Sequence, residues 1–513
     1  MVRRGICNLI FQICVASAVY VPFACAAQST ELHRAYEKNW APRLVPMLTE
    51  VVRFQTFAGN DPAFADQKIW LADTAKRFGF SFKDAGKVSE IELPGPVGAP
   101  VLGLVVHGDV VPVDNNWTFP PFEVTVRNGM VQGRGVADDK GPLVQALLAM
   151  KVLQDSGKPR THTIRLLVGS DEESGSSDIG EYLASHKPPD LSLVLDSAFP
   201  VVVGEKAVNT LYVNVKLDDR GDSPIRLTSI VAGIATNIVP DLAVAKVEAR
   251  TTVDAPVAKK ALDALRHRLE LRPLADGIRL ETEWQDNALL IRTKGKAAHA
   301  GVNAIGGRNA LVALAGLLES ELPQGGARAL LAFTKLAGQD LSGTALGISE
   351  SHPVFGLPVV VPTLFRTTAE GNLRLAVNIR SNPGASGAPL KELLLLRIRE
   401  FNASNGSSLE GSGGFTSTPL VHNIDAKIVK RLLAIYERTT GVAAPPAISA
   451  GGTYAKRLPN SIVFGMWFPG KPYPGHDVDE KISVEDLQKG ARVLVEALLD
   501  IACGDPIREP FVP

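Results

Sequence analysis

Three short apolar runs, residues 101–106, 163–168 and 191–195, constrain this chain of 513 residues more than any other feature. None alternates strictly between apolar and polar, as a strand with one wet face would, so each predicts a strand buried on both faces. Between the first two, Val144, Leu147, Leu148 and Leu153 recur at helical spacing over 142–154, and Gly157-Lys158-Pro159 stops the helix. A shorter helical segment separates the second run from the third. Strand, helix, strand, helix, strand predicts a parallel sheet with helices on its faces. Apolar periodicity also predicts helix over 31–54 and 61–78. A last helix opens at Ser483, a plausible N-cap, and carries Leu487, Leu494, Leu498 and Ile501 inward.

After about residue 208 the texture changes. Strand-like 210–215, 289–292 and 373–379 alternate with helix-like 257–271, 308–318 and 389–402, which predicts a separate α+β unit. The Ser- and Gly-rich stretch 404–414 marks its end. The expected organisation is a first catalytic part over 28–207, an insert over 208–414, and a second catalytic part over 415–513.

Chemistry gathers where the predicted strands end, which is where open α/β sheets place their ligands. His107-Gly108-Asp109 follows the first run, and residues i and i+2 of an extended segment point the same way. Gly169-Ser170-Asp171-Glu172-Glu173 follows the second run and Asp196 the third. Asp138-Asp139 stands just before the 142–154 helix, and His476 lies in Pro474-Gly475-His476-Asp477. Each alone has a plainer reading as a loop histidine, a capping aspartate or a solvated acidic loop. Together, His107, Asp138, Glu173, Asp196 and His476 form a set of two imidazoles and three carboxylates. Oxygen and nitrogen donors without sulfur suit zinc, and also manganese or cobalt. Adjacent acids such as Glu172 and Glu173 lose their mutual repulsion if one coordinates a cation and the other moves protons.

The remaining composition narrows the setting. Lys and Arg number 54 and Asp and Glu 54, so no basic field exists to hold nucleic acid or anionic lipid. Arg3 and Arg4, an apolar run from Leu9, and the small residues Ala24-Cys25-Ala26-Ala27 describe a secretory signal peptide over 1–27, cleaved after Ala26 or Ala27. A membrane anchor is the alternative, and Pro22, Asn8 and Gln12 weigh against it. Export to the periplasm or the medium is therefore expected, with no membrane association after cleavage. Three of the four cysteines lie in that leader, which leaves Cys503 without an intrachain partner. There is no His-Glu-x-x-His, no Gly-x-Ser-x-Gly and no Walker-type loop.

The strings HGDVVP, GRGVADDKGP, GSDEESGSSD, GKAAHAG and GGTYAK stand in an order that resembles the dinuclear-zinc metallopeptidase family of aminoacylases, acetylornithine deacetylase, succinyl-diaminopimelate desuccinylase, carboxypeptidase G and carnosinases. Phe464-Gly465-Met466-Trp467-Phe468-Pro469 is similar to the bacterial dipeptidase branch. The resemblance implies an α/β fold, a mixed, mostly parallel sheet flanked by helices, with the insert as an α+β lid. It implies two Zn²⁺ per chain, one held by His107 and Asp196, the other by Glu173 and His476, with Asp138 bridging. Asp109 would support His107, Glu172 would be the general base, and the peptide after Asp138 would be cis. His299 would help polarise the scissile carbonyl. Asn237 and Arg380 would hold the substrate, and Gly451, Gly452 and Thr453 would offer backbone N–H groups to its carboxylate.

The implied reaction is hydrolysis of dipeptides or very short peptides. The rivals are hydrolysis of other N-acyl amino acids and, from a different class, a non-catalytic binding protein of the same fold. The length of the insert suggests two stacked α+β units, hence a monomer whose own His299 reaches its active site; a homodimer is the alternative.

Overall fold

The computed structural model describes residues 21–113, 117–217, 223–250, 253–471, 473 and 475–507. Most of the expected leader, residues 1–20, lies outside them. Among the described residues no helix is long and apolar enough to cross a membrane.

The strand Val101–His107 lies at the centre of a nine-stranded sheet. It pairs in parallel with Thr163–Gly169 on one side and Leu191–Val194 on the other, and Ser461–Val463 continues the parallel centre. The outer pairings are mostly antiparallel: Ser81–Ala85 with Val88–Leu93 at one edge, Val202–Glu205 with Leu420–Val421 at the other. Alternation along the central strand explains its apolar character. Leu102, Leu104 and Val106 enter the large core beneath helices Lys140–Asp155 and Val484–Ala502, whereas Val105 enters a smaller core with Ile179, Tyr182 and Tyr454. Both faces are covered, and the carboxyl ends of three parallel strands meet at one edge.

The helix expected over 31–54 is two helices, Val21–Asn39 and Ala41–Val52, with the break at Trp40. Pro42 explains it: proline has no N–H to continue a helix yet suits the first turn of a new one. Ser483 caps the last helix as expected, its Oγ accepting from Asp486 N at 3.0 Å.

All strands from Ala207–Lys216 to Glu410–Ser412 belong to a second, antiparallel sheet of eight. Its halves lie side by side rather than stacked, which corrects the expectation of two stacked units. Four strands between Ile225 and Lys294 form one half. Val359–Thr367, Asn372–Ser381, Ala207–Lys216 and Glu410–Ser412 form the other. They join where Val231 and Ala232 pair with Arg366 and Phe365. Helices Ala255–Glu270, Ala310–Leu318, Gly326–Ala337 and Gly387–Asn405 share one apolar core with this sheet.

Candidate metal centre and active-site cavity

His107 closes the central strand, and its Nε2 lies 2.9 Å from Asp138 Oδ1. Its Nδ1 meets the carbonyl of Asp109 at 2.9 Å, with the Asp109 carboxylate at 3.4 Å. That carboxylate also accepts from the backbone N–H of Glu172 at 3.2 Å and of Glu173 at 3.0 Å. Asp109 therefore ties the end of one strand to the acidic loop after the next. The three acids of that loop part company: Asp171 turns to Ser177, while Glu172 and Glu173 line the cavity. Glu173 Oε1 stands 2.7 Å from His476 Nε2, which is 3.2 Å from Asp138 Oδ2. The two oxygens of Asp138 thus face one imidazole each.

The loop before Asp138 is fixed from a distance. Glu480 is buried, and its carboxylate accepts from the N–H groups of Gly135, Ala137 and Asp138 and from the Arg134 guanidinium at 2.8 Å. The φ of Gly135 is +85°, and a Cβ there would sit 2.9 Å from Val110, so the turn requires glycine. The peptide Asp138–Asp139 is cis, as the resemblance implies. Asp139 faces away from the cavity and accepts from His107 N at 3.0 Å.

Electrostatics at this centre suit cations. Burial, together with neighbouring carboxylates, pushes Glu172 and Asp196 well above the usual carboxylate range. Burial lowers the affinity of both imidazoles for a proton, yet Asp109 and Asp138 raise His107 well above its ordinary value, and Glu173 and Asp138 push His476 up to about 10. A crowd of buried acids that drives imidazoles to hold protons is a donor set that divalent ions fit. Ligand atoms of His107, Asp138 and Glu173 lie within 4.8 Å of one another, as do those of His107, Glu172 and Asp196. Glu172 therefore reaches the same space as the expected ligands.

The cavity above this centre measures about 700 Å³. Asp138, Glu172, Glu173, Asp196, Asn237, His299, Arg380, Gly451, Gly452, Thr453 and His476 all line it, whereas His107 and Asp109 lie buried beneath. The His299 ring is 4.8 Å from that of His476 within the one chain. Its Nδ1 accepts from the N–H groups of Gly301 at 3.0 Å and Val302 at 2.8 Å. Burial, with His476 and Arg380 nearby, holds it well below the usual imidazole value. The ring is neutral with its proton on Nε2, a fixed hydrogen-bond donor. Asn237 is set beside it, its carbonyl accepting from Ala300 N at 2.7 Å. Arg380 is buried with Nε on Asn378 Oδ1 at 2.8 Å.

The loop Gly451-Gly452-Thr453 corrects one expectation. Gly451 N donates to Ser449 Oγ at 2.9 Å and Thr453 N to Glu205 at 3.2 Å, so these two N–H groups are engaged within the protein. Sequence reasoning missed Tyr473, whose hydroxyl donates to Asp138 Oδ2, and also Glu205 and Lys456. Glu480 was given no role either, because the loop that it fixes lies 342 to 345 residues earlier.

The sequence profile described as Peptidase family M20/M25/M40 matches residues 103–500. The Beta-Ala-Xaa dipeptidase of Lactobacillus delbrueckii subsp. lactis is 28% identical over 434 residues, 83% of this chain and 87% of the relative. Human carnosine dipeptidase 1 superposes with a TM-score of 0.58 at 14% identity, over 92% of this chain and 98% of that one. The di-peptidase Dug1p from Saccharomyces cerevisiae gives 0.56 at 13% identity, over the same shares. Both solved structures share the fold.

Proposed function

The chain belongs to Peptidase family M20/M25/M40 and is a metallopeptidase of the dipeptidase type; from that premise we propose that it is exported and hydrolyses dipeptides with two zinc ions and Glu172 as proton carrier. One observation carries the reading. A buried imidazole–carboxylate centre and a buried guanidinium, Arg380, share one cavity of about 700 Å³.

His107 and Asp196 would hold one ion, Glu173 and His476 the other, and Asp138 both. When bound, such ions polarise a carbonyl and make water a stronger acid. The chain's own residues supply the rest. The Glu172 carboxylate, whose proton affinity burial raises, takes the proton of the attacking water and returns it to the leaving amine. His299 Nε2–H donates to the carbonyl oxygen as it gains charge. Arg380 pairs with the substrate's terminal carboxylate, with Nε already fixed by Asn378. Asp109 keeps His107 and the Glu172 backbone in register.

The deciding experiment is a turnover panel of dipeptides, tripeptides and N-acyl amino acids with zinc counted by mass spectrometry. Preference for N-acyl amino acids, or fewer than two zinc ions in the active protein, would overturn the reading. Export rests on the N-terminal leader, and a mature N-terminus after Ala26 or Ala27 would bear it out.

A further inference from the structure

The cavity wall around Arg380 is too polar for a purely apolar side-chain preference. Among the described residues that line the cavity, the only aliphatic side chains larger than alanine are Val208 and Val302. Thr210, Thr416, Ser417 and Thr418 supply hydroxyls instead. The two aromatic rings that also line the cavity, Trp467 and Tyr473, lie 4.7 Å apart with Tyr473 bonded to Asp138. The aliphatic surface offered to a leucine side chain is therefore small, and apolar burial is where such a preference would come from.

A second cation stands close to Arg380. Val208 is directly opposite Arg380 in the lid sheet. A side chain built on Gly452 would reach within 3.2 Å of Val208 and 3.5 Å of Lys456 Nζ. Lys456, Gly452, Val208 and Arg380 thus follow one another along the wall, with Ser417 bonded to Val208 N at 2.9 Å. The Lys456 ammonium donates to the carbonyl of Lys206 and, among the described residues, makes no ion pair. The neighbouring acid, Glu205, is engaged by Thr453 through both its N–H and its hydroxyl.

A dipeptide whose terminal carboxylate lies on Arg380 projects its second side chain from the same Cα. Two or three bonds bring that side chain to the next group along the wall. We propose that Lys456 reads the side chain of the C-terminal residue, and that the preferred substrates are dipeptides ending in aspartate or glutamate. The inference rests on the dipeptide reading. An ammonium with three donors and one protein acceptor gains a charge-assisted bond from a carboxylate, whereas an amide of the same shape offers a weaker one.

The test compares kcat/KM for Ala-Glu and Ala-Gln in the metal-loaded full chain, its Lys456→Met variant and its Lys456→Arg variant. Wild type should favour Ala-Glu by roughly tenfold, the usual scale of a hydrogen bond to a charged group. Lys456→Met should bring the two substrates level, through a higher KM for Ala-Glu alone, and Lys456→Arg should restore the preference. Equal values in wild type would overturn the proposal, as would a Lys456→Met loss that is equal on both peptides. Failure of wild type to cleave either peptide while cleaving N-acyl amino acids would overturn the dipeptide reading itself.

Discussion

Glu172 sits where burial and the charges of Glu173, Asp109 and Asp138 oppose its ionisation and outweigh the pull of His107. Replacing it by glutamine keeps size and polarity and removes the proton acceptor. Glu172→Gln should lower kcat by about 10²–10⁴-fold while zinc, counted by mass spectrometry, is retained; activity within tenfold of wild type would remove Glu172 from its role. At Lys456, burial outweighs the attraction of Glu205 and, with Arg380 repelling, holds the ammonium down to about 8. The cation is present below that value and lost above it. The groups that face it are Glu205, Arg380, Glu172 and the Lys206 carbonyl. The ratio of Ala-Glu to Ala-Gln turnover should therefore decline as pH rises through about 8, and Lys456→Arg should flatten the decline. Titration of Glu172 cancels in that ratio, since both substrates use it. At this scale the sequence was legible wherever chemistry follows a strand end, as at His107 and Glu173. It was not legible where a partner comes from afar: nothing near Tyr473 announces that its hydroxyl meets Asp138, 335 residues earlier.

The elements around Asp138 behave as one clamp. The loop 133–138, the strand end at His107 and the segment 476–480 converge on a carboxylate whose two oxygens face different imidazoles. Asp138→Ala should therefore lose both zinc ions on dialysis, whereas Asp196→Ala or His476→Ala should lose chiefly one; two ions retained by Asp138→Ala would refute the bridge. Strands and helices of the catalytic part were legible because their periodicities are local, as the runs at 101–106 and 163–168 illustrate. The break at Trp40 was less so, since apolar spacing carries across it and only Pro42 marks it. The proposed grip on the substrate's terminal carboxylate belongs to this scale too, because Arg380 is set by the strand Asn372–Ser381 through Asn378. Amidated dipeptides should show kcat/KM lower by about tenfold or more, since an amide cannot accept a bidentate, charge-assisted pair.

In the whole molecule, one chain brings its own His299 to its own His476. Mixing inactive Glu172→Gln chains with inactive His299→Ala chains, after refolding together, should recover no activity. Recovery would show that the histidine comes from a partner. How the insert is assembled was not legible, because length and composition do not say whether two α+β units stack or join edge to edge. They join edge to edge, and narrowly: two residue pairs, reinforced by the Arg366 guanidinium on the carbonyls of Ala232 and Gly233. Mechanically, that seam is a thin web between two plates. His299, bridged to Ile238, belongs to one plate and Arg380 to the other, so in the proposed mechanism the group that would grip the substrate and the group that would polarise it are carried on neighbouring plates. The helix Ala310–Leu318 packs on strands of both plates and splints the web, so the alignment of donor and carbonyl is held by that splint as well as by the narrow strip.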